Sequence, residues 1–370
     1  MVDRTRKLGG VEQRFRIPLP TKELDFRGGR FYHKVKLPEE VTELLAENVG
    51  MHISDGHMGS YEGSSKKIQY HGHAIDDFPY YAFHFVPLLK QLWGTSRIYF
   101  RGVKGEQTLI VEIKSKQLVL FKHKVLGLPY GKKKTIMIPA YFLKNLRILR
   151  ILMRGLFDGD GSLSFKSKGG LAHTYPVLSF SSISEPLMKQ LQEQLGQLGF
   201  VVPKKLWERE DGTFYLAING DKNYERWMNI IGFNNPKHLT KVVLYEVYGY
   251  VPPYTDLVER IKLIRGDLQL NECYSETLLR KNEHRLIEKK ILEFLFRENS
   301  WSKELGRQLN LYPDRVRGAL RRLEQCGLVK CILREQWGRY IYQLTPWGIN
   351  KLRRVERILK RLRDEFNLAV

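Results

Sequence analysis

At 370 residues the chain exceeds one average domain, so a large domain with a smaller one is expected. Lys and Arg total 62 against 40 Asp and Glu, a net charge of +22. A folded chain this basic repels itself, and a phosphate backbone is the partner that most often relieves the repulsion. No run of about 18 uncharged apolar residues occurs, which argues against a membrane-spanning helix.

The charged segment 1–7 lacks the apolar stretch of a secretory signal. Cys273, Cys326 and Cys331 have neither a disulfide framework's even count nor zinc spacing, so an intracellular, cytoplasmic location with reduced thiols is expected. Residues 1–38 read as a basic, irregular N-terminal arm containing Pro18, Pro20 and Gly28-Gly29. Pro38-Glu39-Glu40 then supplies the proline and acids favoured at a helix start. Val41, Leu44, Leu45, Val49 and His52 follow at helical spacing, and Asp55-Gly56 stops the helix.

A repeat organises the next two hundred or so residues. Asn48-Val-Gly-Met-His-Ile-Ser-Asp55-Gly56 is echoed by Met153-Arg-Gly-Leu-Phe-Asp-Gly-Asp160-Gly161, with the two aspartates 105 residues apart. In each copy a glycine, Gly50 or Gly155, precedes the aspartate by five residues. The register persists: Gly94 and Gly199 each lie 39 residues beyond their aspartate, and Ile113 and Ile218 each lie 58 beyond. Each copy therefore predicts helix, strands, helix, strands, helix, an α+β half related to its twin by an approximate two-fold axis. The halves are placed at 39–143 and 144–235, followed by a mainly helical segment over 236–282, assigned as a connector, which could instead close the central domain.

A different pattern fills 283–370. Leu286, Ile287, Ile291, Leu292 and Leu295 form an apolar stripe, and a short helix carries Leu305 and Leu309. Pro313 opens a third helix with Val316, Ala319, Leu320 and Leu323 on one face and Arg315, Arg317, Arg321 and Arg322 off it. Two strands flanking a turn at Trp337-Gly338-Arg339 complete a winged helix-turn-helix, and 349–368 reads as a basic amphipathic helix. In that architecture the arginine-rich helix enters the major groove; a solvated face, or a protein-binding module, is the other reading.

Gly50 and Gly155 lack side chains, so two helices facing each other there can approach closely and bring Asp55 and Asp160 together. Two carboxylates at negative helix ends need a cation, and hard oxygen ligands select Mg²⁺ or another divalent ion such as Mn²⁺. Such an ion activates water for in-line displacement at phosphorus. A pseudo-two-fold chain can address both strands of a duplex without dimerising, so a monomer is expected. Asp-Gly is also an ordinary helix stop, but its repetition favours the catalytic reading. A Ca²⁺ loop beginning at Asp158 is excluded, because its sixth and twelfth positions are Leu163 and Gly169. His52 is expected to pack between the halves, and His71, His73 and His84 to lie at the surface.

Residues 50–56 and 155–162 resemble the paired motifs of the LAGLIDADG homing endonucleases, in the monomeric two-motif form known from archaea and organelles. The resemblance covers roughly 39–235. It implies two αββαββα halves whose saddle-shaped antiparallel sheets lie along double-stranded DNA, with Asp55 and Asp160 as metal-binding catalytic acids. Family members often carry a basic residue near each active position. Lys114 fits in the first half; the matching position in the second is Asn219, with Lys222 nearby. The expectation is a site-specific, Mg²⁺-dependent endonuclease of duplex DNA that takes no small-molecule substrate. The alternative is a DNA-binding transcriptional regulator of the same fold that no longer cuts. An intein is disfavoured, since the chain lacks a splicing nucleophile at its start and His-Asn at its end.

Overall fold

The computed structural model describes residues 16–21, 35–59, 67–95, 97–102, 106–168, 171–269, 275–334 and 340–370. Most of the expected N-terminal arm, including Gly28-Gly29, and the turn at 337–339 lie outside the described residues.

Helix α1 (Glu43–Ser54) starts where the Thr42 hydroxyl accepts from the Leu45 amide, satisfying one of the free N–H groups of a first turn. Helix α6 (Leu146–Gly159) starts likewise on the Asn145 side chain. Every residue of α1 from Leu45 to Ser54 is buried, with α6 packed along it and α3 and β1 against it.

After α1 the first half continues through β1 (Gly56–Met58) and β2 (Lys67–His73). A helical segment follows: α2 (Phe78–Tyr80), a π-helical turn Tyr81–Phe85, and α3 (Val86–Trp93). Then come β3 (Ile98–Gly102), β4 (Thr108–Lys114), and α4 (Lys116–Leu120), which runs into a second π-helical turn, Phe121–Val125. A short α5 (Ala140–Leu143) leads into α6. The second half repeats the plan with β5 (Ser162–Lys168), β6 (Leu171–Ser182), α7 (Glu185–Gln197), β7 (Trp207–Glu208), β8 (Phe214–Asn219) and α8 (Gly220–Ile230). The antiparallel sheets have matching orders, β1-β2-β4-β3 and β5-β6-β8-β7. Leu109, Val111 and Ile113 of β4, and Leu216 and Ile218 of β8, turn into the core, as period-two alternation requires. The π-helical turns insert an extra residue each, so consecutive side chains such as Tyr80 and Tyr81 both point inward.

Two helices, α9 (Pro236–Tyr248) and α10 (Leu257–Arg265), follow. A second, smaller core then joins α11 (Ser275–Arg297), α12 (Ser302–Gln308) and α13 (Pro313–Gln325) to a sheet of order β10-β11-β9, made of Val329–Arg334, Tyr340–Leu344 and Ser300–Trp301. The chain closes with α14 (Pro346–Leu352) and α15 (Arg354–Asp364).

The structure divides these segments differently from the sequence expectation. The region assigned as a connector, with closure of the central domain as its other reading, buries Leu239, Val242, Val243, Leu244 and Tyr245 of α9 in the large core. The last helix, expected to belong with the second module, returns to the same core through Ile358, Leu362 and Phe366. Both are amphipathic, and an apolar stripe does not specify which core covers it.

Candidate active site

Helices α1 and α6 end alike, with Asp55 and Asp160 as C-caps in right-handed helical conformation (φ −85°, ψ −10° and φ −83°, ψ −7°). Their approach rests on missing side chains. A Cβ on Gly50 would overlap the Leu152 carbonyl oxygen and lie 2.7 Å from the Leu156 nitrogen; one on Gly155 would lie 2.5 Å from the Glu47 carbonyl oxygen. At Gly159 a Cβ would come within 2.8 Å of Asp55 Oδ2. The ends of α1 and α6 thus bring Asp55 and Asp160 close enough for the charge of one to act on the other. Burial, then the charge of Asp160, pushes the Asp55 carboxyl well above the usual carboxylate range, against the opposing pull of Lys237. The Tyr81 hydroxyl lies 3.1 Å from Asp55 Oδ2 and 2.9 Å from the His71 carbonyl oxygen, fixing the rotamer of that acid.

Two lysines stand at these helix ends. Lys133 Nζ donates to the Ile53 carbonyl at 3.0 Å and also to that of Ser54. Lys237 Nζ donates to the Gly159 carbonyl at 2.8 Å and pairs with Asp77 Oδ1 at 2.9 Å. Each ammonium therefore occupies the carbonyl immediately before one acid, where the helix dipole is most negative. Burial pulls the Lys133 ammonium below its ordinary value despite Asp160 and Asp55. At Lys237 burial acts the same way, but the carboxylates of Asp77 and Asp55 outweigh it and raise the group.

Behind the acids lies a buried polar network. Asp158, two residues before Asp160, accepts from the amides of Asn234 (3.0 Å) and Asn235 (3.0 Å). Burial pushes its carboxyl up to about 6. Asp158 is thus committed to holding the 234–235 turn that presents Lys237. Glu47 of α1 pairs with His84 at 2.6 Å and Arg154 at 3.3 Å and accepts from the Asn234 side chain at 2.8 Å. Burial would raise this carboxyl, but the His84 bond and the charges of His84 and Arg154 hold it at about 2. His84, expected at the surface, is therefore a partly buried partner of Glu47. Burial pulls His52 well below its ordinary range, and its ring stands edge-on to Tyr70.

The other residues named from the sequence lie elsewhere. Lys114, at the end of β4, sits 3.6 Å from Glu112 and over the Tyr99 ring. Lys222 is exposed on α8 and makes no ion pair among the described residues. Neither lysine is held at the acid pair; Lys133 and Lys237 are. A signal for them existed, since Lys133 follows Asp55 by 78 residues and Lys237 follows Asp160 by 77. On α13, Arg315 pairs with Glu283, Arg317 with Asp314, and Arg322 with Glu288 at 2.8 Å. Arg321 has no such partner among the described residues.

Asp55 and Asp160 offer hard carboxylate oxygens of the kind Mg²⁺ accepts, the rest of the shell being water and phosphate. Among the described residues no cluster of three or more His, Cys, Asp or Glu side chains gathers to hold a metal on its own. Two carboxyl groups brought together at negative helix ends still constitute an anionic focus that a divalent ion would relieve, so the residues fit such an ion.

Residues 148–232 match the family model described as LAGLIDADG-like domain, a span running from α6 to the end of α8. No curated protein matches the chain. Solved structures that resemble it include mesophilic variants from the homing endonuclease I-DmoI, at 18% identity over 51% of this chain and 95% of that one, with a TM-score of 0.37. Full-length DUF199/WhiA from Thermatoga maritima is 14% identical over 76% and 89% of the two chains, with a TM-score of 0.36. The homing endonuclease I-WcaI bound to its DNA recognition sequence is 14% identical over 51% and 81%, also at 0.36.

Proposed function

We propose that the protein is a site-specific endonuclease of double-stranded DNA that requires a divalent metal ion and acts as a monomer inside the cell. The observation that carries this reading is the acid pair: Asp55 and Asp160 meet at the ends of two like helices, on the axis relating two like halves. A duplex has the same dyad, so each strand meets an equivalent arrangement of groups. Asp55 and Asp160 are the residues that would hold Mg²⁺ or Mn²⁺, which supplies an activated water and stabilises the leaving oxygen. Tyr81 orients Asp55, and Lys133 and Lys237 offset the negative ends of α1 and α6 beside the scissile phosphates. Lys114 and Lys222 then serve phosphate positioning rather than the chemical step. Residues 283–344 act as a winged helix-turn-helix whose α13 reads the major groove. Their arginines exchange Glu283, Glu288 and Asp314 for phosphates and bases, and surface pairs of this kind are weak enough to exchange.

One observation favours a second reading, a regulator that binds DNA without cutting. The carbonyls beside both acids are already satisfied by lysine ammonium groups, which lessens the need for a metal. A single experiment separates the two. The protein is incubated with Mg²⁺ and a duplex library, and the ends produced are sequenced. Cutting on both strands at a defined offset is expected, and Asp55→Asn or Asp160→Asn should each lower it roughly 100-fold or more. Binding without cutting at any site would establish the regulator instead.

A further inference from the structure

The sheet of the first half carries a polar hub on the face away from the core. The β-register sets His57, Gln69, Glu112 and Tyr99 side by side across all four strands. This row begins two residues after Asp55. The Glu112 side chain is only 4% exposed, yet apolar packing does not cover it; basic side chains do. Gln69 Nε2 donates to its Oε2 at 2.8 Å and Arg101 Nη2 donates to the same oxygen at 2.7 Å. Lys67 lies 3.3 Å from Oε2 and Lys114 lies 3.6 Å from Oε1. The outer ends of these cations stay open, Arg101 at 53% and Lys114 at 65%.

The second half has no counterpart. In the matching sheet register, Ala217 stands for Glu112, Ser179 for Gln69, Trp207 for Arg101 and Asn219 for Lys114. One half thus presents a braced guanidinium, and the matching positions of the other carry small or uncharged side chains.

We propose that Glu112 is a positioning residue that makes Arg101 a base reader, so that sequence preference is stronger in the half-site lying under the first sheet. The inference rests on the reading that this face binds duplex DNA. A guanidinium with one nitrogen tied to a carboxylate keeps its remaining N–H groups in a fixed plane. That geometry matches the O6 and N7 acceptors of guanine in the major groove. An untethered arginine would contact any phosphate within reach. Glu112 itself is covered by its partners, so it acts through them and does not touch a base. Lys67 and Lys114 supply the phosphate contacts that set register.

The test is selection from a randomised duplex library, in parallel for the wild-type chain, Glu112→Ala and Arg101→Lys, with each variant's thermal unfolding recorded. Arg101 is exposed, so its replacement leaves the fold intact and guards against a Glu112 variant that fails to fold. Both variants should lose roughly tenfold or more of the discrimination at one or two positions of a single half-site. Preferences in the other half-site should stay unchanged. Glu112→Ala should in addition steepen the salt dependence of binding by about one counterion. Selectivity unaltered in both variants, or lowered equally in the two half-sites, would overturn the inference while leaving duplex binding standing. A wild-type chain that binds no duplex would overturn the functional reading, and this inference with it.

Discussion

Lys133 and Lys237 reach the same kind of atom from dissimilar places, one from the loop before α5 and the other from the first turn of α9. Their supports differ too. Lys237 has the carboxylate of Asp77 beside it, whereas Lys133 has backbone carbonyls as its hydrogen-bond partners. Because Lys237 pulls the Asp55 carboxyl down against burial and Asp160, Lys237→Met removes that pull and the carboxyl rises further. Under the proposed function, cutting needs the carboxylate form, which is lost as pH falls, so the acid limb of the pH–rate profile should move to higher pH. A profile with an unmoved acid limb would refute this role. For stability the sign is opposite to that of an ordinary salt-bridged acid. A carboxyl raised in the fold, such as Asp158 at about 6, contributes most below its unfolded value, and that contribution is lost as pH rises through about 6.

The contact between α1 and α6 is where geometry is least forgiving. Gly50 faces the backbone of Leu152 and Leu156, and neither atom belongs to a side chain that can turn away. Gly50→Ala must therefore separate the helices, with a cost on the order of 1–3 kcal/mol and a larger loss of cutting than of DNA binding, since the acids move with the helix ends. Thermal melts combined with binding and cleavage assays on the same variant check both parts. These elements were legible in the sequence because a period of 105 residues aligned glycines, aspartates and strands at once, and the matching sheet orders follow that period. The acid pair was readable for the same reason. The lysines beside it were marked only by their near-equal spacing from the two acids, because each contacts backbone oxygens across some eighty residues of chain and no local pattern marks such a contact. The assignment of α9 and α15 was equally hidden, since periodicity gives an apolar face without naming its partner.

At the scale of the molecule, the second half is joined to the C-terminal helices by buried charge. Glu225 and Glu246 face Lys351 and Arg354, with Arg354 donating to Glu225 at 2.7 Å and to Glu246 at 2.6 Å. Arg285 of α11 stacks on Tyr245 and approaches Glu246 at 3.5 Å. Burial acts against Glu246, but the charges of Lys351, Arg354 and Arg285 overcome it and hold this carboxyl far below its usual range. Removing one partner from such a cluster leaves buried charge uncompensated, so Arg354→Met should cost about 3–5 kcal/mol in urea unfolding. A change below about 1 kcal/mol would mean the cluster is replaceable by packing alone. Arg361 of α15 extends the link to Asn234, and through it to Glu47 behind the acids.

The large core gathers side chains from both ends of the described chain, Ile17 and Leu19 at one end and Phe366 at the other. During synthesis, α1 and α6 can dock long before α15 exists. The core remains open on one side until residue 366 has left the ribosome, and Glu225 and Glu246 wait for Lys351 and Arg354 over most of that interval. Closure over so long a stretch of sequence is slow. The arrival of α15 is thus the step that closes the large core, and chaperone demand should be concentrated in the interval before it.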